Sequence, residues 1–229
     1  MPGTDHSPLP RRGFLGRLSA AAAGFTTLLA TPAPLRAIES SSTRSPGGSG
    51  DAANPDGWLD RLNGRDRMLL HAHRELQPAL YAAWNILTNG RQAYGVPEQE
   101  NSVVVASHGP AIGGMFTDDI WRKFTLGERY KMNDPATGSP YTKNPFLRPL
   151  GGMPPDATVP DLMKRNVTFI VCNVAVRNLS RRIVGQGEGT EALHEELVAG
   201  LLPGMVVVPD LFVAISHAQK KGIGYIFID

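Results

Sequence analysis

The stretch VTFIVCNVAVRNLSRRI, Val167 to Ile183, changes character half-way. Its first half is a continuous run of apolar, β-type residues, the mark of a strand buried on both faces. From Asn173 the apolar positions space out as on a helix, and Arg177, Arg181 and Arg182 fill the polar side. A buried strand handing over directly to a helix is half of a βαβ unit. The same alternation recurs on both sides of it.

Upstream, RMLLHAH (67–73) reads as a first strand and PALYAAWNILTNGRQAY (78–94) as a helix, with Pro78 suited to the first turn. SVVVAS (102–107) reads as a second strand, followed by a helical piece around 111–116. Downstream come a helix over 191–201, a fourth strand over 205–208, a helix over 210–221 and a fifth strand over 224–228. Five strands alternating with helices predict a three-layer α/β/α domain around a mainly parallel five-stranded sheet. Ligands of such sheets bind beyond the carboxyl ends of the strands. That points to His73 and Arg74, His108 and Gly109, Cys172 and Asn173, and Pro209 and Asp210.

Two regions break the alternation. Residues 133–160 hold seven prolines and little periodicity. An excursion of this length in a compact domain is usually functional or interfacial. Residues 38–63 begin Ser/Gly/Pro-rich and are expected to be a flexible linker before a domain over 64–229.

Ahead of the linker, PRRGFLGRLSAAAAGFTTLLA (10–30) carries paired arginines, then an Ala/Gly/Leu stretch without acids. It resembles a twin-arginine export signal, with Pro10 and Gly16 as departures from the usual pattern. The expected signal peptide is 1–37, ending at PLRA, which places the protein in the periplasm or otherwise outside the cytoplasm. The apolar run is too short for a membrane span. Residues 1–37 contain four arginines against one aspartate, so the overall charge of +2 becomes −1 over the remainder. That balance argues against a nucleic-acid partner.

Cys172 is the only cysteine, so no internal disulfide can form. Placed at a strand end before a helix, its sulfur would feel the helix dipole, worth about 0.3–1 kcal/mol. That is less than one tenfold step in acidity. A neighbouring cation must supply the rest, and His108 is the candidate. Asn173 is expected to cap the helix, while Arg177 and Arg181 share a face that can attract an anion. The opposite expectation is a small hydrophobe in the core, where cysteines are common. His71 and His73, two apart on a strand, face one side and with His108 offer a third reading, a histidine metal site.

The layout, the cysteine directly after the third strand in VTFIVCNVAV, the VVVASHG strand end and the closing LLPGMVVVPDLFVAISHAQKKGIGYIFI resemble the DsrE/DsrF-like sulfur-relay family. The similarity is greatest to its exported branch, and it covers roughly residues 65–229. It implies a homo-oligomer that carries sulfane sulfur as a persulfide on Cys172 and exchanges it with a thiol-bearing donor or acceptor protein. His108 would then act with the thiol, and Asn173, Gly109 and Arg177 would contact the substrate. No cofactor or metal is implied. The alternatives are a non-catalytic homo-oligomeric binding module with an inert cysteine, and the histidine metal site.

Overall fold

The computed structural model describes residues 54–187 and 189–229. The expected signal peptide and most of the expected linker lie outside them. The strands are β1 (Asp66–Ala72), β2 (Asn101–Ser107), β3 (Thr168–Cys172), β4 (Val206–Val208) and β5 (Gly224–Ile228). The helices are α1 (Gln77–Tyr94), α2 (Asp118–Lys123), α3 (Leu126–Arg129), α4 (Val159–Lys164), α5 (Asn173–Val184), α6 (Gly189–Ala199) and α7 (Leu211–Lys220). Every strand pairing is parallel, in the order β4-β3-β2-β1-β5. The chain therefore lays β2, β3 and β4 successively to one side of β1, and α7 carries it back to add β5 on the other. No helix among the described residues is long and apolar enough to cross a membrane.

The parallel arrangement follows from composition. The central strands β2 and β3 are buried almost throughout, including Val103, Val104 and Val105 in β2 and Phe169, Ile170 and Val171 in β3. Only strands covered on both faces bury continuous apolar runs of this kind. Register then fixes which side chains share a face. His71 sits opposite Ala106 and Phe227, and Ala106 opposite Ile170. Because side chains alternate, His73, His108 and Cys172 continue that same face at the carboxyl edge.

The linker boundary needs correction. Gly57–Arg61 forms a 3-10 turn, and Trp58, Leu59 and Leu62 are buried in the core. Their apolar side chains outweigh the loop-forming composition around them. The turn is tied to α7, where His217 Nδ1 lies 2.6 Å from Asp56 Oδ2 and Lys221 Nζ 2.9 Å from Asp60 Oδ1.

The excursion at 133–160 has little regular structure, as expected, but it is anchored. Asn144 is fully buried. Its Nδ2 donates to the carbonyls of Gly114 (2.9 Å) and Phe116 (2.6 Å), and its Oδ1 accepts from Phe146 N (2.9 Å). Its own N–H donates to Asp118 Oδ1 at 2.9 Å. Asp118 and Asp119, the first two residues of α2, do not cap it. Thr117 holds the cap position of α2, and neither it nor the acids closes the helix start. Asp118 instead binds the excursion through Asn144 and Arg148, and the Arg148 guanidinium holds its carboxyl below the usual range. Asp119 pairs with Arg122 one turn on. The seat is tight: a Cβ on Gly127 would lie 2.1 Å from the Tyr141 carbonyl oxygen.

Candidate functional site

Cys172 ends β3, with its backbone in register with Val208 of β4. It also occupies the cap position of α5, where the sequence had pointed to Asn173, but it makes no side-chain capping bond. The thiol is free and only 1% exposed, within the hydrophobic core. Position along the chain put it at the rim, but the residues around it seal it in.

Its expected helpers are engaged elsewhere. Asn173 does not cap α5. The helix starts one residue earlier than a cap at 173 requires, and Asn173 Oδ1 lies 2.7 Å from His194 Nε2 on α6. Arg177 pairs with Glu191 of α6, holding that carboxyl below its ordinary range. Arg181 Nη1 donates to Asn178 Oδ1 at 3.2 Å, so the two arginines do not form a joint anion seat. Both Asn173 and Arg177 thus stitch α5 to α6.

His108 belongs to a different constellation. Its ring stacks on His73 (centroids 5.3 Å, 21° between planes) and meets His71 edge-on at 6.1 Å. Phe212 of α7 packs edge-on against His108 at 5.1 Å and against His71 at 6.0 Å. Gly109 makes the stack possible. Its φ is +55°, and a Cβ there would lie 2.6 Å from His73 Cδ2. Gly109 therefore gives room to an imidazole.

His71 is the buried member, 3% exposed, with Nδ1 3.0 Å from the Tyr225 hydroxyl. Burial, reinforced by His108 and His73, lowers its pKa from 6.5 to about 4. His108 is also lowered, by burial and then by His73, against an opposing pull from Asp210. Asp210 caps α7 through Phe212 N (2.8 Å) and Val213 N (3.3 Å). At the outer end of the cluster, Asp229 lies 3.6 Å from His73 Nδ1 and 3.3 Å from Arg74 Nε. His71 Nε2 and His108 Nδ1 are buried without a hydrogen-bond partner. The sequence thus foresaw three histidines on one face. Among the described residues, however, no group of three His, Cys, Asp or Glu side chains is arranged to hold a metal ion.

No family model matches the chain, and no curated protein sequence matches it. Among solved structures it is similar to a protein of unknown function from Methanobacterium thermoautotrophicum, at 14% identity and a TM-score of 0.38. That alignment covers 71% of this chain and 99% of the other.

Beyond the carboxyl ends of β1 and β2 lies a cavity of about 450 Å³. Leu76, Trp121, Tyr130 and Phe146 make its walls, and Arg74 and Lys131 are charged residues in its lining. Trp121 Nε1 donates to Gly113 O at 2.8 Å, which fixes the indole. Burial pushes the Tyr130 hydroxyl up to about 12, so it stays protonated. Of these residues the sequence named Arg74 alone, by its place beyond the first strand. The other signal was the proline-rich excursion, which supplies Phe146 to the wall. A second cavity, about 390 Å³, lies at the opposite edge beside Asn101, Thr168 and Val206, the starts of three strands.

Proposed function

We propose that this chain is an exported, DsrE-like, homo-oligomeric binding module, with Cys172 a packing residue. Its ligand space is the cavity beyond β1 and β2. The observation that carries this reading is the 1% exposure of Cys172. Only a reachable thiolate is a nucleophile, and a sulfur enclosed by core side chains reacts only when the chain opens. The pocket has the make-up of a small-molecule site, apolar walls with a few charged groups. Thiol labelling of the native full-length chain tests the proposal. Labelling at least about a hundredfold slower than in denaturant is expected, because it must wait for local opening. Equal rates in both conditions overturn it.

A second reading, sulfur relay, is favoured by one feature: Cys172 shares its sheet face with His108 and adjoins the start of α5. In this reading the thiolate attacks a sulfane sulfur of a polysulfide. A sulfur–sulfur bond forms on Cys172, and the shortened polysulfide leaves with the electron pair. A partner thiolate then takes the outer sulfur and releases Cys172 as thiolate. Incubation with polysulfide followed by intact-mass measurement checks this. Relay requires one added sulfur on the native chain and none on Cys172→Ser, whereas the binding-module reading expects no added sulfur on either.

A further inference from the structure

We infer that β5 is the surface through which two copies of this chain associate, pairing antiparallel about Ile226 so that one sheet runs through both. This rests on the homo-oligomer reading above and names its interface. The sheet has two edges, and they are built differently. β4 is three residues long, Val206 and Val208 are buried, and Pro209 follows at once. Short strands and nearby prolines are how natural edges resist pairing. β5 has no such protection. It is five residues long, GYIFI, without proline or charge. Tyr225, Ile226 and Phe227 are 37%, 44% and 51% exposed. On α7, Phe212, which packs against His71, is 60% exposed. Among the described residues no strand pairs with the outer edge of β5, and an uncharged apolar edge with unpaired backbone groups is a template for another strand.

The occupant follows from self-complementarity. With Ile226 on a two-fold axis, Tyr225 faces the second copy's Phe227, and Phe227 faces its Tyr225. These are aromatic cross-strand pairs of the kind that stabilise sheets. Ile226 meets Ile226 on the opposite face. A two-fold axis perpendicular to the sheet makes such a pair antiparallel, since each strand then runs opposite to its copy. The charges at the strand ends do not oppose it: Lys221 is paired with Asp60, and Asp229 lies beside Arg74. The second copy also completes the histidine cluster. Tyr225 holds His71, and Phe227 packs on it at 5.1 Å, so the neighbouring aromatic pair walls off the solvent side of these imidazoles.

Sedimentation of the full-length chain at tens of micromolar should give a dimer. Ile226→Lys, which opposes two ammonium groups on the axis, should give a monomer with unchanged circular dichroism, since residue 226 is outside the core. Ile226→Cys should be joined to itself by a short bis-maleimide, because opposed Cβ atoms in such pairs lie about 4.5–5.5 Å apart. An Ile226→Lys chain that still associates overturns the β5 interface but leaves the homo-oligomer standing. A native chain that sediments as a monomer overturns both. A dimer whose Ile226→Cys form is not joined overturns the register about Ile226.

Discussion

Asn144→Leu is expected to lower the free energy of unfolding by about 3 kcal/mol or more, the larger of two stability effects that single side chains should show. The substitution keeps the bulk and deletes the chemistry. Three buried backbone groups, the carbonyls of Gly114 and Phe116 and the N–H of Phe146, lose their partner at once. Each unsatisfied buried group costs about 1–3 kcal/mol. Some of that is recovered if the excursion peels away and its backbone takes up water, so the low end of the sum is the safer expectation. For a domain of this size, 3 kcal/mol corresponds to a fall of roughly 6–12 °C in Tm. Asn144→Asp should be no milder. It keeps the acceptor for Phe146 but turns a carboxylate oxygen toward two carbonyl oxygens. Urea unfolding of both variants checks the magnitude. Limited proteolysis should find new cuts within 133–160, the segment that this side chain pins down. A loss below about 1 kcal/mol, the worth of one ordinary hydrogen bond, would mean that the excursion is held by other contacts.

What the sequence revealed and what it concealed differ in range. Strand positions were legible because a strand buried on both faces can only be an apolar run, and Val103–Val105 and Phe169–Val171 are such runs. The helix after Cys172 was legible for the same local reason, its spaced apolar positions. The role of Asn144 was not, because its partners lie 28 and 30 residues away, and no local pattern announces them. Trp58, Leu59 and Leu62 were hidden by the Gly, Pro and Asn around them, which read as linker. Cys172 misled in a subtler way. A strand end was taken as a rim, yet burial at a strand end is decided by what packs over it, and here the thiol is covered. The shared side of His71 and His73 came from strand alternation, but the face of His108 depended on the β1–β2 register and the stacking on Gly109 and Phe212. The exposure of β5 was equally out of reach. GYIFI reads as an interior strand until strand order places it at an edge.

Stability should fall steeply between pH 6.5 and 4, and His71 should be the main cause. Its imidazole is 3% exposed, with a pKa lowered from the ordinary 6.5 to about 4. In the unfolded chain it takes its proton near the ordinary value. Between the two values the unfolded state binds the proton and the native state does not, so acid favours unfolding. The stabilisation is complete above 6.5, declines as pH falls, and is gone by about 4. The gap corresponds to roughly 3 kcal/mol. Two groups beside His71 have a known direction. His108 is lowered by burial and by His73, and Tyr225 stays protonated throughout. His194, lowered by burial, adds to the slope from another part of the molecule. The depressed carboxylates Asp118, Asp161 and Glu191 also lose stability in acid, starting as pH falls through the ordinary carboxylate range, so they steepen the acid end of this window and dominate below it. His71→Gln keeps a hydrogen-bonding group beside the Tyr225 hydroxyl and removes the titration. Its urea midpoint should therefore be much flatter from pH 6.5 to 4 than that of the native chain, with the remaining slope set by His108 and His194 and, toward pH 4, by the carboxylates. An unchanged slope would mean that His71 is reached by water and protonated in the folded state, and that the imidazole cluster is more open than its packing against Phe212 and Tyr225 implies.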